Sequence, residues 1–421
     1  MSTLHVFWDD KLVGHLSSAG GPEMTFQYSA HYLARGNARA ISLSLPLQAE
    51  AFDPASSKSW FANLLPEGEI RGHVARRLGV SARNEYAILD GIGGDCAGAL
   101  RLIPEAHQVD QKDGLVPLPW DELEAKIAAT PRPSLLALVL QNGELRLSLA
   151  GAQDKLPVHF SRGELALPSG DIPSTHLLKV SSGDFPGLVE NELFCLKLAK
   201  KAGLDVPHAE LAPTETPILL VQRYDRRVHA DGRIGRLHQE DFCQALGIPP
   251  ETKYENEGGP SLAQLFGVLS RGSRSPLPDK KKLLQWVFFN FLIGNADTHA
   301  KNISFLHGEF GERGGPRLAP FYDLVCTQVY EQLSPRLAQK IGGEYRHRYV
   351  AGRHWDRLAE AIGVKPGYLR ATGLEMCGRV EGGVESVFAD LESEAWGGEV
   401  LEQIAEVIDR RIRRVRGRLG G

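Results

Sequence analysis

The stretch GNADTHAKN (294–302) gathers an aspartate, a histidine, a lysine and two asparagines into nine residues. Asp297 and Asn302 stand five apart, the spacing at which phosphotransfer enzymes set a catalytic base and a metal-binding amide. Asp323, in PFYDLV, ends a strand–loop–strand pattern that starts right after Asn302, so a hairpin would return it beside that amide. Mg²⁺ takes hard oxygen ligands and keeps several waters, so a carboxylate, an amide oxygen and phosphate oxygens make a suitable set. Asp297 would then accept or orient the proton of an attacking hydroxyl, with Asn302 and Asp323 as metal ligands. The plainer alternative is a polar cap, in which Asn295 and Asp297 only satisfy the end of a helix.

A phosphotransfer site also needs a lysine on a strand and a carboxylate on the next helix. Lys179 lies in STHLLKV (174–180), and Glu192 follows in LVENELFCLKLAKKAG (188–203). Glu192 is one turn from Val189 and Leu196, beside the buried face, where an unpaired charge is expensive. Glu190 is the competing carboxylate. The small-residue turn AGAQDK (Ala150, Gly151, Ala152, Gln153, Asp154, Lys155) could let backbone amides approach phosphates. It is not a Walker motif, and an ordinary hairpin turn explains it as well. His299, Lys301 and Tyr322 join the nucleotide-facing candidates. Lys301 either reaches the transferred phosphoryl group or is a solvated loop lysine.

These residues need rigid mounts. KKLLQWVFFNFLI (281–293) is apolar on every side, so it is expected to be a helix buried all round, ended by Gly294 and Asn295. NISFLHGEFGERGGPRLAPFYD (302–323) reads as a hairpin with a glycine-rich loop. Earlier, LHVFWDDKLVGHL (4–16) reads as two strands turning at Asp9-Asp10-Lys11, and 64–78 as a basic helical segment. GIGGDCAGAL (91–100) is glycine-dense but lacks the third glycine of a dinucleotide fingerprint. Residues 104–134 form a proline-rich connection with one helix over 120–129. GELRLSL (143–149) and KLPVHF (155–160) read as a hairpin around the AGAQD turn, and PILLVQRYD (217–225) as a buried strand. Beyond Asp225 the pattern is helical to the end, with 302–323 as the clear interruption. In the last helix, Ile404, Ile408, Ile412 and Val415 share a face, while arginines 410, 411, 413, 414, 416 and 418 crowd the rest. Such a stripe is a solvated face or an approach to nucleic-acid phosphates.

With 421 residues, two or three subdomains are expected. A net charge of −4 demands no direct nucleic-acid partner. Five scattered cysteines without a CxxC argue for reduced thiols and against zinc. Asp9 and Asp10 precede any long apolar stretch, and the longest such run is short of a membrane span, so a cytoplasmic protein is expected.

Together, SLAGAQDK, STHLLKV, VENELFCLKLAKKAGLDVPHAEL, VQRYDRR, RLHQEDFCQALG, KYENEGGPSL, LIGNADTHAKNISF and LAPFYD resemble the HipA family of toxin serine/threonine kinases, in the family's order over most of 145–330. The first hundred residues, with GDCAGAL, resemble the HipA N-terminal subdomain. The resemblance implies an α+β, two-lobed protein-kinase-like fold: an added N-terminal subdomain (1–105), a sheet-rich ATP-binding lobe with a connecting segment (106–225) and an all-helical catalytic lobe (226–421). It implies ATP and Mg²⁺, Asp297 as base, Asn302 and Asp323 as metal ligands, and Lys179 on the phosphates. Gln222, Arg223 and Tyr224 match the adenine hinge, with Gln222 where the family often has glutamate. Ser148 matches an autophosphorylated serine whose phosphate, adding roughly −2 charge beside the phosphate loop, would silence the enzyme. Ala296 stands where many protein kinases place an arginine, so control by activation-loop phosphorylation is not expected. The family further implies a HipB-like helix-turn-helix antitoxin, operator DNA bound through that complex, growth arrest or persistence, and a substrate in translation such as an aminoacyl-tRNA synthetase. A small-molecule phosphotransferase, or a co-repressor that needs no catalysis, are the alternative readings.

Overall fold

Alternation in the first strand puts Leu4, Val6 and Trp8 on one face, and all three are fully buried. That strand, β1 (Ser2–Trp8), pairs antiparallel with β2 (Lys11–Ser18) from Ser2↔Ser18 to Trp8↔Lys11. Asp9 takes the left-handed conformation at the turn, φ 52°, which aspartate tolerates better than most residues. With β3 (Thr25–Tyr28) and β4 (Leu100–Pro104) they form a sheet of order β3-β2-β1-β4. The computed structural model describes residues 2–105, 114–129, 135, 153–181, 183–312, 314–393 and 398–419. The GELRLSL strand, Ser148, Ala150, Gly151 and Ala152 lie outside the described residues.

A second sheet is built from β5 (Gly114–Pro117), β6 (Lys155–Ser161), β7 (Glu164–Ser169), β8 (His176–Val180), β9 (Ala209–Leu211) and β10 (Ile218–Gln222). Its order is β5-β7-β6-β8-β10-β9. The continuous apolar start of PILLVQ fits its place inside this sheet, where Ile218, Leu219 and Leu220 are buried. The helix expected near Trp120 runs over Trp120–Ala128.

The chain divides into two compact units. The first comprises Met1–Ser182, Leu211–Pro250 and Leu306–Gly314, and holds strands β1 to β8 and β10. The second comprises Gly183–Glu210, Glu251–Phe305 and Gly315–Gly421. It is mainly helical, with Leu188–Lys201, Leu262–Gly272, Pro276–Ile293, Gly352–Ala361, Pro366–Ser393 and Glu399–Leu419 as its main helices. It also carries an antiparallel pair, Arg336–Ile341 with Glu344–Arg346, that an all-helical reading does not contain. LAQK has good helix formers. However, Gly342 and Gly343 both adopt positive φ and turn the chain, and the Ala338 N–H donates to the Ala296 carbonyl at 2.8 Å.

Every residue of Leu283–Ile293 is buried, as a helix apolar on all sides must be. In the C-terminal helix the Ile404, Ile408, Ile412, Val415 face is buried as its spacing requires. Its arginines are largely committed to the protein. Arg411 is 2% exposed and donates to the Phe291 carbonyl, Arg416 pairs with Glu381, Arg413 with Asp409, and Arg418 reaches the Val350 and Arg348 carbonyls. Arg411 is thus closed to a nucleic-acid partner, whereas Arg410, Arg413 and Arg416 stay exposed. Among the described residues no helix is long and apolar enough to cross a membrane.

Candidate active site

The buried helix Pro276–Ile293 ends because Gly294 adopts φ 79°, where a side chain would also strike Val407. Three amides then build the loop. The Asn295 N–H returns to the Asn290 carbonyl at 3.0 Å, and Asn295 Nδ2 donates to Asn290 Oδ1 at 2.8 Å and to the Asp323 carbonyl at 3.3 Å. Asn295 Oδ1 accepts the Asp297 N–H at 3.0 Å. One buried side chain therefore holds both the segment of the expected base and that of the expected metal ligand. Asn302 closes the loop, its Nδ2 donating to the Asp297 carbonyl at 2.9 Å. Ala296 is fixed at both backbone groups, its N–H donating to Thr327 Oγ1 at 2.8 Å and its carbonyl accepting from Ala338.

The hairpin after Asn302 returns as expected, but its return strand is only Arg317–Leu318. Asp323 lies five residues farther, in irregular chain at φ 52°, not at a strand end. A non-glycine residue there is uncommon and signals a position fixed by its surroundings. Tyr322 supplies part of that fixing through its hydroxyl, which donates to the Lys301 carbonyl and pairs with Ser304 Oγ, each at 2.7 Å. The structure thus gives Tyr322 a role in holding the loop.

Lys301 is only 5% exposed, which rules out a solvated loop lysine. His299 is buried too, and its pKa is pushed well below the usual histidine value by burial first and then by the Lys253 and Lys301 charges, against the opposing pull of Asp323. It is a neutral ring at neutral pH, so it offers no cation to a phosphate. Its Nε2 lies 4.0 Å from Asp297 Oδ1, and its buried Nδ1 has no hydrogen-bond partner among the described residues. One residue of this site has no assignment from the sequence: Tyr254, of KYENEGGPSL, donates its hydroxyl to Asp297 Oδ1 at 2.6 Å. No periodicity or spacing signals a contact across 43 positions.

In the first unit, Lys179 is buried in β8, directly opposite Lys155 of β6. Like charges facing each other across a ladder repel, and an anion between them relieves that repulsion. Gln153 adds a buried amide nitrogen without a partner among the described residues, whereas Asp154 is tied to the Leu135 N–H. This set fits phosphate oxygens. The amide and carboxylate of Asn302 and Asp323 fit Mg²⁺, because the bond from Asn302 Nδ2 to Asp297 leaves its oxygen as the group to offer a cation. Glu192 is 1% exposed on the helix Leu188–Lys201 while Glu190 is half-buried, in line with the facing expected from the sequence. The same helix presents Asn191, which accepts the Cys326 N–H at 2.8 Å and donates to the Cys326 carbonyl at 3.1 Å.

The expected hinge residues send their side chains in different directions. Gln222 ends β10 opposite His176, and the Tyr224 hydroxyl bonds Gln239. The Arg223 side chain points into a fully buried ion cluster, so a hinge role for this residue falls to its backbone. Its guanidinium reaches Asp225 at 2.7 and 2.9 Å, Ser174 Oγ at 2.7 Å, the Cys96 carbonyl at 2.8 Å and Asp95 at 3.3 Å, and its N–H is used by the Thr175 carbonyl. Arg226 completes the cluster on Asp95 at 2.8 Å and on the Gly98 carbonyl at 2.8 Å. Burial alone would raise the Asp95 carboxyl, but Arg226, Arg223 and Arg236 together hold it below the usual carboxylate range. The glycine-dense GDCAGAL is thus a docking turn. Gly98, at φ 83°, donates its N–H to Asp225, and a side chain there would meet the Gln239 backbone at 2.8 Å.

Comparison with known proteins matches residues 147–384 to the family model HipA-like C-terminal domain and residues 4–103 to HipA N-terminal domain. The chain is 43% identical over 365 residues to the Sinorhizobium fredii protein Y4mE, covering 86% of each chain. It is 30% identical over 376 residues to the serine/threonine-protein kinase toxin HipA of Shewanella oneidensis, covering 86% of this chain and 84% of that one. The solved complex of Shewanella oneidensis MR-1 HipA with HipB and operator DNA contains a chain that superposes with a TM-score of 0.84 at 28% identity, covering 99% of this chain and 97% of that chain.

Proposed function

Because the chain belongs to the HipA family of serine/threonine-kinase toxins, we propose that it transfers the γ-phosphoryl group of ATP to a protein serine or threonine. The observation that carries this reading is the loop closure in which Asn295 binds the segments of Asp297 and Asp323 while Asn302 binds Asp297. A polar cap alone would satisfy the helix end without gathering two acids and an amide. Lys155, Lys179 and Gln153 hold the ATP phosphates, and Gln222 with Tyr224 forms the hinge. Asn302 and Asp323 hold Mg²⁺, which supplies neutralisation of charge on the phosphate oxygens. Asp297 takes the proton of the acceptor hydroxyl as that oxygen bonds to the γ-phosphorus. The bond to the β,γ-bridging oxygen breaks, and ADP leaves with its electron pair. Buried Lys301 stabilises the charge that builds on the phosphoryl group.

By family analogy, the acceptor is a component of translation such as an aminoacyl-tRNA synthetase, and transfer arrests growth in a cytoplasmic setting. By the same analogy a HipB-like antitoxin restrains the kinase and joins it on operator DNA; HipA, HipB and operator DNA are together in the Shewanella complex that it resembles. Autophosphorylation of Ser148 silences it. Incubation with ATP and Mg²⁺ is expected to add one phosphate at Ser148, read by mass spectrometry, and Asp323→Asn is expected to lose it. Undiminished phosphate in the variant, with contaminating kinases excluded, overturns the reading. Phosphoproteomics of arrested cells names the target.

A further inference from the structure

We propose that Tyr254 is a positioning residue for the transfer step, holding the Asp297 carboxylate in the orientation that receives the acceptor proton. The inference rests on Asp297 being the base and adds a residue to which the family resemblance gave no role. Tyr254 Oη donates to Asp297 Oδ1 at 2.6 Å, while the Asp297 side chain stays 53% exposed. The carboxylate is therefore held at Oδ1 while about half of the side chain faces solvent, where a hydroxyl can approach. A tyrosine that blocked the base would have buried it.

The surrounding chain is built to deliver that hydroxyl. The Tyr254 carbonyl accepts the N–H groups of Glu257 at 3.0 Å and Gly259 at 2.8 Å, closing a tight turn. Gly258 sits at φ 95°, and a side chain on Gly259 would meet the Thr252 carbonyl oxygen at 2.2 Å. Both glycines of KYENEGG are thus demanded by the turn. Glu255 anchors it from outside, accepting the Lys340 N–H at 2.7 Å and pairing with the Lys340 ammonium at 3.5 Å. Lys340 belongs to the strand Arg336–Ile341, which is bonded to the catalytic loop through Ala338 and Ala296. From the other side, the Tyr254 ring stands edge-on to His299, with centroids 5.2 Å apart and planes at 83°. A carboxylate turns readily about its last bond, and a short hydrogen bond at one oxygen removes that freedom before the acceptor arrives.

The test follows incorporation of the labelled γ-phosphate of ATP into the purified full-length protein, in the presence of Mg²⁺. Tyr254→Phe is expected to lower the rate at saturating ATP by roughly tenfold to a hundredfold. The ATP concentration for half-maximal rate and the thermal midpoint should stay as in wild type. Tyr254→p-aminophenylalanine, which restores a donor, should recover most of the rate; Tyr254→O-methyltyrosine, which fills the space without one, should not. An unchanged or raised rate in Tyr254→Phe, or equal recovery by both analogues, overturns the proposal. Asp297→Asn, run in parallel, separates the two failures. If it retains transfer, or wild type shows none, the kinase reading itself falls. If it is inactive while Tyr254→Phe is unaffected, only the role of Tyr254 falls.

Discussion

The GNADTHAKN loop and the cluster joining GDCAGAL to VQRYDRR are both dense in polar groups, yet they are wired in opposite ways. The loop is held by neutral groups: Asn290, Asn295, Asn302, Thr327, Tyr322 and Tyr254. Apart from the Tyr254 bond, these contacts engage backbone atoms and neutral side chains rather than the carboxylates of Asp297 and Asp323. The cluster does the reverse. Asp95 and Asp225 are surrounded by Arg223, Arg226 and Arg236, and each carboxylate is consumed by a guanidinium. Buried ion pairs lock a junction; neutral amides shape a loop without neutralising it.

The contrast can be broken first at the cluster. Asp95→Asn leaves buried guanidiniums short of a counter-ion and is expected to destabilise the first unit by about 3–5 kcal/mol, read by chemical denaturation. An unchanged midpoint would mean that the ion pairs lock nothing. Asn295→Ala removes the neutral hub of the loop and should cost about 1–3 kcal/mol of stability while lowering transfer more than ATP binding. Loss of stability with a normal transfer rate would show that the loop needs no such hub. His238, outside both regions, adds a dependence on pH. Burial, and then the neighbouring His307, push His238 down to about 3 in the folded protein. The unfolded chain binds that proton near pH 6.5 and the folded one does not, so stability should fall as pH drops below about 6.5, by up to about 1.4 kcal/mol per unit. His238→Gln should flatten that slope in denaturation series across pH 7 to 5. Least of all, Arg416→Ala breaks an exposed pair with Glu381 and should change stability by less than about 1 kcal/mol.

Much of the site was legible because local patterns carry it. An apolar run on all faces, ended by glycine, forces a buried helix and a loop at its end, and a glycine-rich hairpin forces the return of Asp323. Arg411 departs from the expectation that all six arginines crowd the face away from the apolar stripe: three residues after Ile408 and four before Val415, it falls on the stripe and is buried. Tyr254 was not legible, because its partner is distant in sequence and nothing in KYENEGG indicates where its hydroxyl points. The direction of the Arg223 side chain was hidden for a related reason. A hinge position fixes the backbone, whereas the direction of an arginine side chain depends on where its carboxylates are, and Asp95 lies 128 residues away. The strand pair after Ser334 was hidden by helix-forming residues, one of which, Ala338, gives its N–H to the GNADTHAKN loop.

The most direct test is the rate of γ-phosphate transfer by Asp297→Asn, with ATP binding measured on the same sample. Transfer should fall by about 10²–10⁴-fold, the worth of a positioned base, while ATP binding stays near wild type. Transfer at the wild-type rate with ATP bound would contradict the assignment of Asp297, and with it the reading of GNADTHAKN as a catalytic loop.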